Sequence, residues 1–156
     1  MTLKETVAST IEGRDTMEMQ KFINDRVKKY YWDDDLNCAI TTLKILSEHF
    51  GVNLSEQVLD SALGMHGAGE YGAQCGLVEG TLLFIGIWGR IQKIQDAAIV
   101  ETCHRYAQRF ERRFSSLTCR VLRPEGFHND NPPHLCEGLT CEAVRFNLEF
   151  VRDAFS

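Results

Sequence analysis

The fold turns on residues 74–88, Gln74-Cys75-Gly76-Leu77-Val78-Glu79-Gly80-Thr81-Leu82-Leu83-Phe84-Ile85-Gly86-Ile87-Trp88. This stretch reads as a buried helix, apolar nearly throughout. It contains Glu79 and falls short of the ~18 apolar residues that a membrane span needs. Gly76 and Gly80 lie one helical turn apart, so another backbone can approach closely there. Glycine costs about 1 kcal/mol against alanine inside a helix, so this density of glycine points to tight packing or a site. Eight of the chain's 12 glycines fall between Gly64 and Gly89, and the first half of that interval reads as a loop leading into the helix.

Working outward, helical spacing recurs on both sides. Leu36, Ala39, Ile40, Leu43, Leu46 and Phe50 form one stripe, with Asp35 as the expected cap and Gly51 as the stop. Ser55 caps a short helix through Ala62. Asp96 is expected to cap a long helix to about Phe114, striped by Ile99, Cys103, Tyr106, Phe110 and Phe114. Ser116 starts a further turn near Cys119. Residues 123–135, with Pro124, Gly126, Pro132 and Pro133, read as an irregular loop. Thr140 is the expected cap of a last helix carrying Cys141, Val144, Leu148, Val151 and Phe155. At the other end, Thr2 and Glu5 have capping-box spacing for a short helix ended by Gly13, and Thr16 caps a second helix to about Tyr31. No strand alternation of useful length occurs. The expected architecture is all-α: one helical domain over 1–156, a bundle of about six to seven helices around the buried stretch.

Composition narrows the function. The chain has 156 residues, 44% hydrophobic and 25% charged, enough for a real core. Lys+Arg number 17 against 22 Asp+Glu, a net charge of −5, which argues against a nucleic-acid partner. The N-terminal residues hold no apolar run after a basic start, so no secretory signal is expected, and the expected setting is the cytoplasm. Six cysteines in a reducing compartment point to metal binding or catalysis rather than a disulfide framework. No Cys-x-x-Cys pair occurs. Covalent haem attachment is excluded, because Val100 stands where the first cysteine before Cys103-His104 would be.

Cys38, Cys75, Cys119 and Cys141 fall in or near the expected first turns of helices. Unpaired backbone N–H groups and the helix dipole favour a thiolate there, and the thiolate is both nucleophile and metal ligand. Cys103 reads as a packing residue on its stripe, and Cys136 is undecided.

Asn37-Cys38-Ala39, then Gly64-Met65-His66-Gly67-Ala68-Gly69, then Cys75-Gly76-Leu77-Val78-Glu79-Gly80 resemble the C-GCAxxG-C-C family of redox-active proteins. The resemblance runs over about residues 30–153 and leaves 1–29 as an N-terminal helical extension. Leu77 departs from the family's alanine. By the resemblance, Cys119 stands for the third family cysteine and Cys141 for the fourth, with Cys136 as the alternative. It implies a small helical protein with four cysteines in redox or metal work.

Four thiolates suit an iron–sulfur cluster or a zinc ion, and two pairs suit dithiol–disulfide exchange. The metal centre is favoured, since Gly76 and Gly80 let backbone N–H groups approach cluster sulfurs. His66 and Glu79 are possible further ligands, although Glu79 would raise the pKa of Cys75 if buried and ionised. A redox partner protein and a homo-oligomer are expected. The competing reading is a non-catalytic helical interaction module, with packing cysteines and glycines that let helices approach within a homodimer. A thiol-dependent enzyme acting on small molecules, with a pocket beside Cys75, comes third.

Overall fold

The structure, a computed structural model, describes residues 3–156, with side chains from Asp15 onward. The expected capping role of Thr2 lies outside the described residues. Eight α-helical segments and no sheet are present among them, two of the segments being single four-residue turns. The all-α expectation is met.

Helix α1 (Leu3–Lys28) passes through Gly13 without a break and runs on into a π-helical turn, Lys29–Asp33. A lone glycine is a penalty of about 1 kcal/mol inside a helix, not a stop, so the expected boundary at Gly13 and cap at Thr16 do not occur. Ile23 and Val27 are fully buried, and the wider π turn tucks both Tyr30 and Tyr31 inward.

Helix α2 (Cys38–Phe50) is capped by Asn37, whose side chain accepts from the Ile40 N–H at 3.0 Å. Asp35 was the expected cap. It sits instead at φ 50°, outside the extended conformation a cap needs, while Asn37 has it. Gly51 ends α2 in the left-handed conformation, as its position predicts. Helix α3 (Glu56–Ser61) follows Ser55.

The glycine-rich loop contains a short turn, α4 (Gly67–Glu70), of unusual hand. Gly67, Ala68, Gly69 and Glu70 all have positive φ, between 54° and 70°. Helix α5 (Gly76–Ile91) then crosses the centre of the molecule, with Leu77, Val78, Phe84 and Ile85 fully buried. Full burial of each such side chain is worth about 1.5–3 kcal/mol.

The most extensive helix–helix contact is between α2 and α5. A Cβ at Gly80 would stand 2.4 Å from the Ala39 carbonyl oxygen, and one at Gly76 would stand 2.9 Å from the Ala39 nitrogen. These two glycines therefore serve a close approach within the chain.

In helix α6 (Asp96–Phe114) the N-cap position falls to Gln95, with no side-chain cap, rather than to Asp96, which lies in the first turn and pairs with Arg90 at 2.6 Å. Helix α7 (Cys119–Leu122) begins after Thr118, whose N–H is accepted by the Ser116 hydroxyl at 2.9 Å. Helix α8 (Glu137–Ala154) begins three residues before Thr140. Thr140 is not its cap. It is fully buried, and its hydroxyl is engaged with the Tyr31 hydroxyl at 2.7 Å.

Tyr106 and Phe110 of α6 pack on Phe146 and Phe150 of α8. The buried Tyr106 hydroxyl donates to Asn147 Oδ1 at 2.8 Å. Among the described residues, no helix is long and apolar enough to cross a membrane.

Candidate functional site

The segments before α5 and α7 pair briefly as antiparallel backbone. Cys75 N–H donates to Leu117 O at 2.8 Å, and Cys119 N–H to Ala73 O at 2.7 Å, about an isolated bridge between Gln74 and Thr118. Side chains alternate along such a pair, so residues 75 and 119 emerge on the same side, opposite to 74 and 118. The two thiols hydrogen-bond to each other. Both residues are buried, 4% and 5% exposed, and both are free cysteines.

The left-handed turn of α4 is what clears space for this pair. A Cβ at Gly67 would lie 3.1 Å from Cys119 Cβ and 3.2 Å from its Sγ. With φ at +70°, Gly67 also holds a backbone conformation that other residues enter at a cost.

The pair is electrostatically uneven. The hydrogen bond from Cys75 lowers the Cys119 thiol to about 7, against a burial penalty and with help from the Arg123 guanidinium. Cys75 moves strongly the other way, because it keeps the shared proton, is desolvated and faces Cys38. The shared proton favours thiolate on Cys119 over Cys75, and the two titrate together.

Cys38 is the first residue of α2. Burial pushes its thiol up to about 12, with Cys136 and Cys119 adding to the rise. Its sulfur accepts from its own N–H and from that of Gly76, whose missing Cβ would sit on top of it. So a first-turn position does not by itself give a thiolate here: the hydrogen bond to Cys119 raises Cys75, and for Cys38 desolvation outweighs the helix N-terminus.

Cys136, immediately before α8, hydrogen-bonds to Arg123 and is an electrostatic neighbour of Cys38 and Cys119, although burial raises it overall. Cys141 is not drawn to this group. It lies in the interior of α8, raised by burial and by Glu137 and Glu142. Cys103 is half-buried on α6 and raised by burial. Glu79 is half-buried and raised by burial, against a hydrogen bond from Gln74.

A cavity of about 380 Å³ opens beside the thiol pair. Cys119 and Cys38 line it, and Cys75 does not. His66 also lines it, and its Nδ1 is buried without a hydrogen-bond partner. The loop from 123 to 136 forms a second wall, contributing Arg123, His128 and His134. His134 stacks on Tyr31 at 5.1 Å and meets the edge of Trp32 at 4.6 Å. Sequence reasoning missed Arg123, Tyr31, Glu70, His128 and His134, for no motif or periodicity marks a side chain that reaches a site only after folding.

Among the described residues, no group of three or more His, Cys, Asp or Glu side chains is arranged to hold a metal ion. Cys75 and Cys119 are engaged with each other, and Cys141 stands apart.

Comparison with curated proteins finds no match, and comparison with solved structures finds none. One family model does match, over residues 36–150, under the description "Putative redox-active protein (C_GCAxxG_C_C)". That span holds the cysteine pair, the left-handed turn, the Gly76–Gly80 packing and the 123–136 loop, and the chain belongs to this C_GCAxxG_C_C redox-active protein family.

Proposed function

We propose that the chain is a thiol–disulfide redox protein, in which Cys119 attacks and Cys75 resolves. The observation that carries this reading is the hydrogen-bonded pair of free thiols, of which Cys119 lines a cavity and Cys75 does not. A lowered pKa gives Cys119 a large thiolate fraction near neutral pH, where attack on a disulfide is favourable. Cys75 is protonated until the mixed disulfide has formed and then displaces the leaving group. Each cycle moves two electrons from the two protein thiols to the disulfide being reduced. Cys38, held neutral, and Cys136, tied to Arg123, flank the pair. The reading suits a cytoplasmic setting, where free thiols persist, and a partner that resets the oxidised pair. An iron–sulfur or zinc centre on Cys38, Cys75, Cys119 and Cys141 draws less support, because the charged neighbours of Cys141 are Glu137 and Glu142 rather than the other three cysteines.

The test is a redox titration of anaerobically purified protein in dithiol buffers, with thiols counted by alkylation and mass spectrometry. The expected result is loss of two of six thiols in one two-electron step, with a cross-linked peptide joining residues 75 and 119. Cys75→Ser and Cys119→Ser abolish the step, and Cys103→Ser and Cys141→Ser leave it. Iron with sulfide in the purified protein, or six free thiols across the titration, would overturn the reading.

A further inference from the structure

The thiol pair meets its substrate through the 380 Å³ cavity, and the walls of that cavity describe the substrate. Cys119 is only 5% exposed, so its sulfur is met inside the cavity and not on an open face. A disulfide embedded in a folded protein surface is too bulky to enter; a small molecule fits. The walls carry both signs of charge, the Arg123 guanidinium and the Asp35 and Glu70 carboxylates. Arg123 donates to the Gly126 carbonyl oxygen at 2.9 Å and hydrogen-bonds to Cys136, and a guanidinium has five N–H donors, so donors are left over. The Nδ1 of His66 is buried and unpartnered, and a buried polar atom of this kind calls for a ligand or water to satisfy it.

Resting on the thiol–disulfide reading, we propose that the substrate is a low-molecular-weight zwitterionic disulfide of the amino-acid type. Its carboxylate is held by Arg123, its ammonium by Asp35 and Glu70, and its sulfur–sulfur bond lies at Cys119. The Cys119 thiolate forms a bond to one substrate sulfur, the substrate S–S bond breaks, and one small thiolate leaves. Cys75 gives its proton to that thiolate, attacks the Cys119 sulfur and releases the second half as a thiolate. One substrate disulfide becomes one small thiol and one small thiolate, which takes its proton from water, and the protein gains one disulfide.

The experiment mixes reduced full-length protein with equimolar cystine, cystamine, 3,3′-dithiodipropionate or a disulfide-bonded protein, and follows oxidation by quenched alkylation. Each rate is divided by the rate of the same disulfide with N-acetylcysteine, to remove differences in leaving group. The expected result is a normalised rate for cystine at least tenfold above the dication and the dianion, with the protein disulfide slowest. Glu70→Gln with Asp35→Asn shifts the preference towards the dianion, and Arg123→Gln shifts it towards the dication. Equal normalised rates, or a protein disulfide that reacts fastest, would overturn the substrate assignment. Oxidation by diamide separates the two claims. If diamide links Cys75 to Cys119 while cystine shows no advantage, the substrate is wrong and the thiol chemistry stands. If diamide forms no such link, both are wrong.

Discussion

Alanine at Gly80 tests the packing that sets the site. The substitution has two opposing effects. Alanine in a helix interior is better than glycine by about 1 kcal/mol. Its Cβ, however, would lie 2.4 Å from the Ala39 carbonyl oxygen and 3.0 Å from Thr42 Cβ. An ordinary contact is near 3.5 Å or beyond, so α2 and α5 must separate by about 1 Å. The oxygen belongs to the backbone of α2 and cannot rotate aside. Overpacking of this kind costs about 1–3 kcal/mol, and a fixed backbone atom argues for the upper end. The net loss is then about 2 kcal/mol. For a chain of this size that is roughly a 4–8 °C fall in Tm. Gly86 is the internal control. It lies on the same helix with nothing within 4 Å of a built Cβ, so Gly86→Ala is expected to be neutral or stabilising by up to about 1 kcal/mol. Both variants are measured by urea and thermal unfolding monitored by circular dichroism. If Gly80→Ala is as stable as the parent, or if both variants fall alike, the helix contact is not the one described.

Three further outcomes are expected. Alkylation of Cys119 by iodoacetamide, followed site by site with mass spectrometry, should rise through a half-point near pH 7, because the thiolate is present above that value and lost as pH falls below it. In Cys75→Ala the half-point should move to higher pH, since the donor that holds the thiolate is gone; an unmoved half-point would refute the pairing. Tyr31→Phe should cost about 1–2 kcal/mol in urea unfolding by stranding the buried Thr140 hydroxyl, and Thr140→Val should recover part of that loss in a double-mutant cycle. Asp96→Ala should change stability by less than about 1 kcal/mol by the same measurement, because its ion pair with Arg90 is largely exposed.

Much of the helical layout is legible in the chain because apolar spacing and left-handed stops act locally. Gly51 ends its helix where a glycine stop is expected, and the 74–88 stretch is the buried centre. Caps were harder. Asn37, Gln95 and Cys136 take positions for which Asp35, Asp96 and Thr140 look equally suitable in sequence. The choice is made by tertiary contacts, such as the Tyr31 hydroxyl that claims Thr140. Three of the expected site cysteines, Cys38, Cys75 and Cys119, are electrostatic neighbours, and Cys136 joins them where Cys141 was expected. The spacing of a sequence cannot distinguish Cys136 from Cys141, which are five residues apart, although one stands at the head of α8 beside Arg123 and the other has Glu137 and Glu142 as its charged neighbours. Neither does any local pattern announce a two-residue backbone pairing such as that about Gln74 and Thr118.

That pairing joins parts of the chain that the unfolded polymer would seldom bring together. A covalent link between Cys75 and Cys119 would close a loop of about 45 residues and remove loop-closure entropy from the unfolded ensemble worth roughly 4 kcal/mol. Redox state and foldedness would then be thermodynamically linked. Oxidation would raise the free energy of unfolding, and unfolding would make the disulfide easier to reduce by the same amount.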